Sequence, residues 1–111
     1  MKKLVAIAAT CALLGSATAA LAAGDPAAGK AKSAVCVACH NPDGNSTNPA
    51  YPKLAGQSAD YLTKQLVEFK SGARVNPIMV GMVAALTPQD MEDLSAYFAS
   101  QQIARGAADP A

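Results

Sequence analysis

Five residues, Cys36-Val37-Ala38-Cys39-His40, constrain this chain more than any others. They hold its only histidine and two of its three cysteines. Four chemistries use such a cluster. A redox dithiol of the thioredoxin kind sits where a strand meets a helix in a βαβ unit, and no strand-like alternation occurs anywhere in the chain. A structural zinc site needs four ligands, normally two separated pairs, and there is no second Cys/His pair. A Cys36–Cys39 disulfide would close a very small loop and restrict little of the unfolded chain. The fourth chemistry is covalent haem attachment, for which C-x-x-C-H is the sequence signal. One helical turn brings both sulfurs to the vinyl-derived carbons of a porphyrin, and the adjacent histidine then lies beneath the iron. In about 100 residues the pattern arises by chance well below one time in a hundred, because Cys and His are rare.

The start of the chain is consistent with that choice. Met1-Lys2-Lys3 is followed by the uncharged run LVAIAATCALLGSATAALA, and Ala20-Leu21-Ala22 carries small residues where a signal peptidase reads. This is the layout of a secretory signal, so residues 1–22 are expected to be cleaved and the protein to be periplasmic. Cys11 lies within the discarded run. The remaining 89 residues, 23–111, read as a single domain with a disordered tail from about 106. Seven Lys/Arg face eight Asp/Glu in that domain, a formal charge of −1 without a basic block. Nucleic acid, which is bound through clustered cations, is therefore excluded as a partner. No second apolar run is long enough to span a bilayer, so no stable membrane insertion is expected after cleavage.

A domain of this size is marginal by itself. Its aromatic residues are Tyr51, Tyr61, Phe69, Tyr97 and Phe98, with no tryptophan. Small exported domains usually compensate with disulfides or a bound group, and two cysteines three positions apart cannot staple distant segments. A bound group is expected to complete the core.

The elements read as all-α. Asp25-Pro26 opens a helix that continues over Ala27–Ala38 into the cysteine pair. NPDGNSTNPAYPKLAG, residues 41–56, is a long loop of the kind that wraps something. Ser58 caps a second helix that stops at Gly72, with Leu62, Leu66 and Phe69 at helical spacing. The proline-led stretch NPIMVGMVAAL is irregular, and Thr87-Pro88-Gln89-Asp90 forms a capping box. The last helix carries Met91, Leu94, Tyr97 and Phe98 and ends before Gly106.

The stretches GDPAAGKAKSAVCVACHNPDGNS, YPKLAGQSADYLTKQLVEFKSG and NPIMVGMVAALTPQDMEDLSAYFAS resemble the class I cytochromes c. The likeness is greatest to small bacterial periplasmic carriers and to one half of the dihaem periplasmic cytochromes. The tail RGAADPA is similar to the linker that leads into the second half of the latter. The resemblance implies a few helices wrapped around one haem c, with the first and last helices crossing where Gly29 meets Leu94 and Tyr97. It implies thioethers at Cys36 and Cys39, with His40 as one axial ligand of the iron. Class I cytochromes draw the other ligand from a distant methionine. Met79, seven residues before Leu86, matches that position, with Met82 as the fallback, whereas Met91 lies on the apolar stripe of the last helix. The likeness also assigns the Pro52 carbonyl, or failing it Pro49, as acceptor for the second His40 nitrogen. Lys53 and Arg74 are candidates for the haem carboxylates. Together these imply a one-electron carrier and not an enzyme, a monomer that meets other redox proteins transiently. A haem-based ligand sensor and a haem subunit of a larger oxidoreductase are the competing functions.

Overall fold

A computed structural model describes residues 23–105, together with Ala9, Ala12 and Gly15. The expected signal segment and the tail from 106 fall outside the described residues apart from those three positions. Five helices and no strands occur among the described residues: α1 Pro26–Lys32, α2 Ala34–His40, α3 Ala59–Ser71, α4 Pro77–Val83 and α5 Pro88–Ala99. None is long and apolar enough to cross a membrane.

Local chemistry accounts for the boundaries. The Asp25 side chain accepts from Ala27 N, and Pro26 takes the first turn of α1 where no N–H is needed. The expected helix over 27–38 is two helices. Ser33 turns its hydroxyl back onto Lys30 O at 2.8 Å and interrupts the helix, a recognised competition between a serine side chain and the helical ladder. Ser58 caps α3, and Gly72 closes it in the left-handed conformation at φ 84°. The proline-led stretch is helical, not irregular: Asn76 Oδ1 accepts from Ile78 N and Met79 N, and Pro77 leads the helix in. Thr87 and Asp90 form the reciprocal capping box of α5, and that helix ends at Ala99.

α1 and α5 cross with almost no side chain between them. A Cβ on Gly29 would lie 2.0 Å from Asp93 O and 2.8 Å from Tyr97 Cβ. The nearest atoms are thus those of the Asp93 backbone and of the expected Tyr97. Gly29→Ala is expected to force the helices apart and to cost at least the ~1–3 kcal/mol of an overpacked core, read as a lower denaturant midpoint.

Polar contacts lock the same crossing. Lys32 Nζ reaches Asp90 Oδ1 at 2.8 Å and Asp93 Oδ2 at 2.7 Å, while Asp93 Oδ1 accepts from Asp25 N at 2.9 Å. The Asp25 amide first, then Lys32 and Gln89, hold the Asp93 carboxyl down at about 2 from an ordinary 3.8. Lys32, with the Thr87 amide, holds Asp90 at about 2. Because both folded values lie below the unfolded one, their stabilisation is complete above pH ~4 and is lost as pH falls through 2. Asp93→Asn is expected to flatten the stability–pH curve in that window, which acid titration followed by circular dichroism would reveal.

The apolar cluster of Leu62, Leu94, Tyr97 and Phe98 sits between α3 and α5 and is joined by the partly buried Cys36, Leu54, Leu66 and Leu86. Only eight hydrophobic residues are buried among the described residues. The core is small, and α5 forms its floor.

Candidate haem site

α2 packs on α1 and α4 packs on α3, and a cleft of about 280 Å³ lies between the two pairs over α5. Cys36, Cys39, His40, Met79 and Met82 all line it. The proposed ligands therefore converge on one cavity from segments forty residues apart in sequence. Most of the remaining wall is apolar, with Leu62, Leu66, Phe69, Leu94 and Phe98 among it.

His40 is the last residue of α2 and is buried. Its Nδ1 stands 2.7 Å from Pro52 O. A carbonyl oxygen can only accept, so Nδ1 carries the proton and the lone pair is left on Nε2. This is the tautomer that a metal-binding imidazole requires, and its orientation is fixed by the partner on the other nitrogen. Of the two prolines considered from sequence, Pro52 supplies the carbonyl. Asn41 follows at φ 68°, an unusual conformation outside glycine, and it ends the helix immediately after His40.

Cys36 and Cys39 are not joined to each other in a disulfide. Burial pushes the Cys36 thiol above its ordinary 9.0, the opposite of the lowered value that a reactive dithiol needs. Among the described residues no group of three or more His, Cys, Asp or Glu could hold a metal ion, which leaves the zinc reading without a ligand set. The disulfide, dithiol and zinc readings, three of the four sequence chemistries, therefore lose their support.

The two methionine candidates differ in shelter. Met79, in the first turn of α4, is half-buried, whereas Met82, one turn on, is 42% exposed. Met91 is 3% exposed within the core and takes no part in the cleft wall. Arg74 stacks over the Phe69 ring at 4.7 Å and donates to Gln65 Oε1 at 2.6 Å. Lys53 and Arg74 both reach the cleft wall, the only Lys or Arg side chains among the described lining residues.

Sequence reasoning passed over Ser95. Its hydroxyl is buried and has no hydrogen-bond partner among the described residues, yet it lines the cleft. Buried polar groups rarely stay unpaired. The position alternates with the apolar stripe of α5, and only the helical phase relative to the cleft could have flagged it.

A cleft with an apolar wall, two thiols one helical turn apart, an imidazole with a free Nε2 and an unpaired hydroxyl fits a large, flat, mostly apolar group carrying a metal. Such a cleft inside an all-helical shell defines a c-type haem domain. The sequence profile of the family described as Cytochrome c matches residues 26–102, and the chain belongs to that family. It is 55% identical over 89 residues to cytochrome c4 of Pseudomonas aeruginosa, an alignment covering 80% of this chain and 44% of that protein. It is 42% identical over 83 residues to cytochrome c-554(548) of Halomonas halodenitrificans, covering 72% of this chain and 100% of the relative. The crystal structure of reduced recombinant cytochrome c4 from Pseudomonas stutzeri superposes with a TM-score of 0.73 at 49% identity, over 79% of this chain and 51% of that one. The chain thus spans about half the length of the cytochrome c4 proteins it matches. The fold is that of the class I cytochromes c, and the cofactor of the family is covalently bound haem c.

Proposed function

We propose that this protein is a periplasmic one-electron carrier whose single haem c has His/Met axial ligation. The observation that carries the reading is the placement of His40 and Met79 in the walls of one cleft, on helices that pack on different partners. When bound, the haem supplies one-electron exchange between ferrous and ferric iron. Cys36 and Cys39 would hold it through thioether bonds, His40 through Nε2 and Met79 through its sulfur. With His40 and Met79 both bound to the metal, the chain would leave no coordination position open for a substrate. Oxygen or peroxide chemistry needs that opening, and electron transfer does not.

The residues around the site suit this task. The soft Met79 thioether favours the ferrous state. Leu62, Leu66, Phe69 and Phe98 would pack against the bound haem and shield it from water, and so would disfavour the more highly charged ferric centre. The Pro52 carbonyl acts the other way, raising the donor strength of His40. Lys53 and Arg74 stand where they can meet the haem carboxylates. The leader read in residues 1–22 supports export, and the partners would be other redox proteins met briefly through a small interface.

Carbon monoxide added to the dithionite-reduced protein tests the reading. An unchanged ferrous spectrum is expected. Rapid formation of a carbonyl complex would indicate a ligand-binding protein with a displaceable methionine. Docking is expected to rest on apolar contact, because Val35, Tyr61 and Ile78 on the cleft wall are each about half exposed. Electron-transfer rates with a redox partner should accordingly change little with added salt, whereas a steep fall would show charge-driven docking.

A further inference from the structure

The loop that carries the Pro52 carbonyl has no regular secondary structure of its own over residues 41–56, so its position must be set from elsewhere. α5 holds both of its ends. Tyr97 Oη donates to Pro42 O at 2.6 Å, and Gly56 N donates to Phe98 O at 3.0 Å. The middle is held by the segment that follows α5. Asn45 is buried; its Nδ2 donates to Gln102 O at 2.8 Å, and its Oδ1 accepts from Ala104 N at 2.7 Å. One side-chain amide thus pairs with both faces of Ile103's peptide neighbours, as an adjacent β-strand would.

Asn45 is also tied tightly into the loop. Its own N–H donates to Asp43 Oδ1, and its Nδ2 also donates to Asp43 Oδ2, at 2.9 and 2.8 Å. Asn41 Nδ2 donates to Asn45 O at 2.9 Å. The residue before it, Gly44, accepts at its carbonyl from Leu54 N at 2.8 Å and Ala55 N at 3.2 Å. That carbonyl therefore bridges the clamp to a point two residues from Pro52. Ile103 lies against Gly56, where a Cβ would fall 2.5 Å from Ile103 Cγ1. The covalent and hydrogen-bonded path runs from residues 102–104 through Asn45, Gly44 and Leu54 to the acceptor of the His40 proton.

We infer that residues 102–104 are a strap and that Asn45 is a positioning residue, which together hold the Pro52 carbonyl against His40 Nδ1. The inference rests on His40 being the axial ligand, and through that bond the strap tunes the donor strength of the imidazole. A weaker bond to Pro52 makes His40 a poorer donor, stabilises the ferric state less, and raises the midpoint potential.

The test uses haem-loaded protein in four forms: unaltered, Asn45→Ala, truncated after Gln101, and Asn45→Ala with the same truncation. Hydrogen exchange of the His40 Nδ1–H is followed by NMR beside that of the Leu66 amide in α3, and the midpoint potential is measured for each. Exchange at His40 is expected to quicken about tenfold or more in both variants, while Leu66 keeps its protection and the potential rises. Adding the truncation to Asn45→Ala should give little further change, since both cut one path. Should Asn45→Ala fail to fold, the truncated form carries the comparison alone. A lower melting temperature with unchanged His40 exchange and unchanged potential would overturn the proposal, because Asn45 would then be merely structural. If His40 were not the ligand, its ring protons would lack the large paramagnetic shift in the unaltered ferric protein, a failure visible before any variant is made.

Discussion

Replacing Cys36 and Cys39 together by alanine is expected to yield a chain with no covalently bound haem and no cooperative thermal transition. The reason lies in how little else the core contains. Eight hydrophobic residues are buried among the described residues, and the cleft of about 280 Å³ separates α2 and α4 from each other. Leaving such a space unfilled costs up to about 7 kcal/mol at roughly 24 cal/mol per Å³. Because the cleft opens to solvent, this figure is an upper bound. It is nonetheless comparable with the whole stability of an ordinary domain, about 5–15 kcal/mol. The α1–α5 crossing, locked by Lys32, Asp90 and Asp93, should survive longest, since it touches the cleft least. Circular dichroism should show a reduced helical signal that declines gradually on heating. A sharp transition near that of the unaltered protein would mean that the helices need no bound group.

Met79→Ala is expected to abolish the absorption band that marks methionine bound to ferric iron, and to open the ferrous protein to carbon monoxide. The midpoint potential should fall by a few tenths of a volt, well within the roughly 0.8 V that axial ligands span. The backbone of Met79 is fixed at the start of α4 on the cleft wall. Asn76 caps the helix by accepting from Ile78 N at 2.9 Å and from Met79 N itself at 3.0 Å, and Pro77 fixes the entry. Met82→Ala should leave the band intact, since that side chain is 42% exposed and water competes for its place. Loss of the band in Met82→Ala, with survival in Met79→Ala, would reverse the assignment.

Much of this architecture is legible in the sequence because its signals are local. The Asp25, Ser58 and Thr87 caps and the Gly72 stop depend on neighbours within four residues, and each appears where its chemistry places it. Buried Met91, Leu94, Tyr97 and Phe98 follow the stripe of α5. The features that escaped are of two kinds: local hydrogen bonds without a strong motif, and contacts set by tertiary structure. The break at Ser33 depends on one hydroxyl choosing Lys30 O over solvent, and the helix at Pro77–Val83 depends on Asn76 acting as a cap inside what reads as a loop. Gly29 was legible as a crossing point, but the atom it meets, Asp93 O, is a property of helix phase. Ser95 and Asn45 carry no motif at all. Their importance comes from where the cleft and the segment after α5 happen to lie.

The central claim is that a haem is bound covalently to the two cysteines beneath His40. Mass spectrometry of the protein purified from cells with haem-attachment machinery tests it most directly, on the intact chain and on the proteolytic peptide spanning Cys36, Cys39 and His40. The peptide is expected to carry the mass of one haem, resistant to acid–acetone extraction, with the narrow paired visible bands of a low-spin ferrous centre in the reduced protein. A peptide of bare polypeptide mass, with both thiols open to alkylation, would contradict the account.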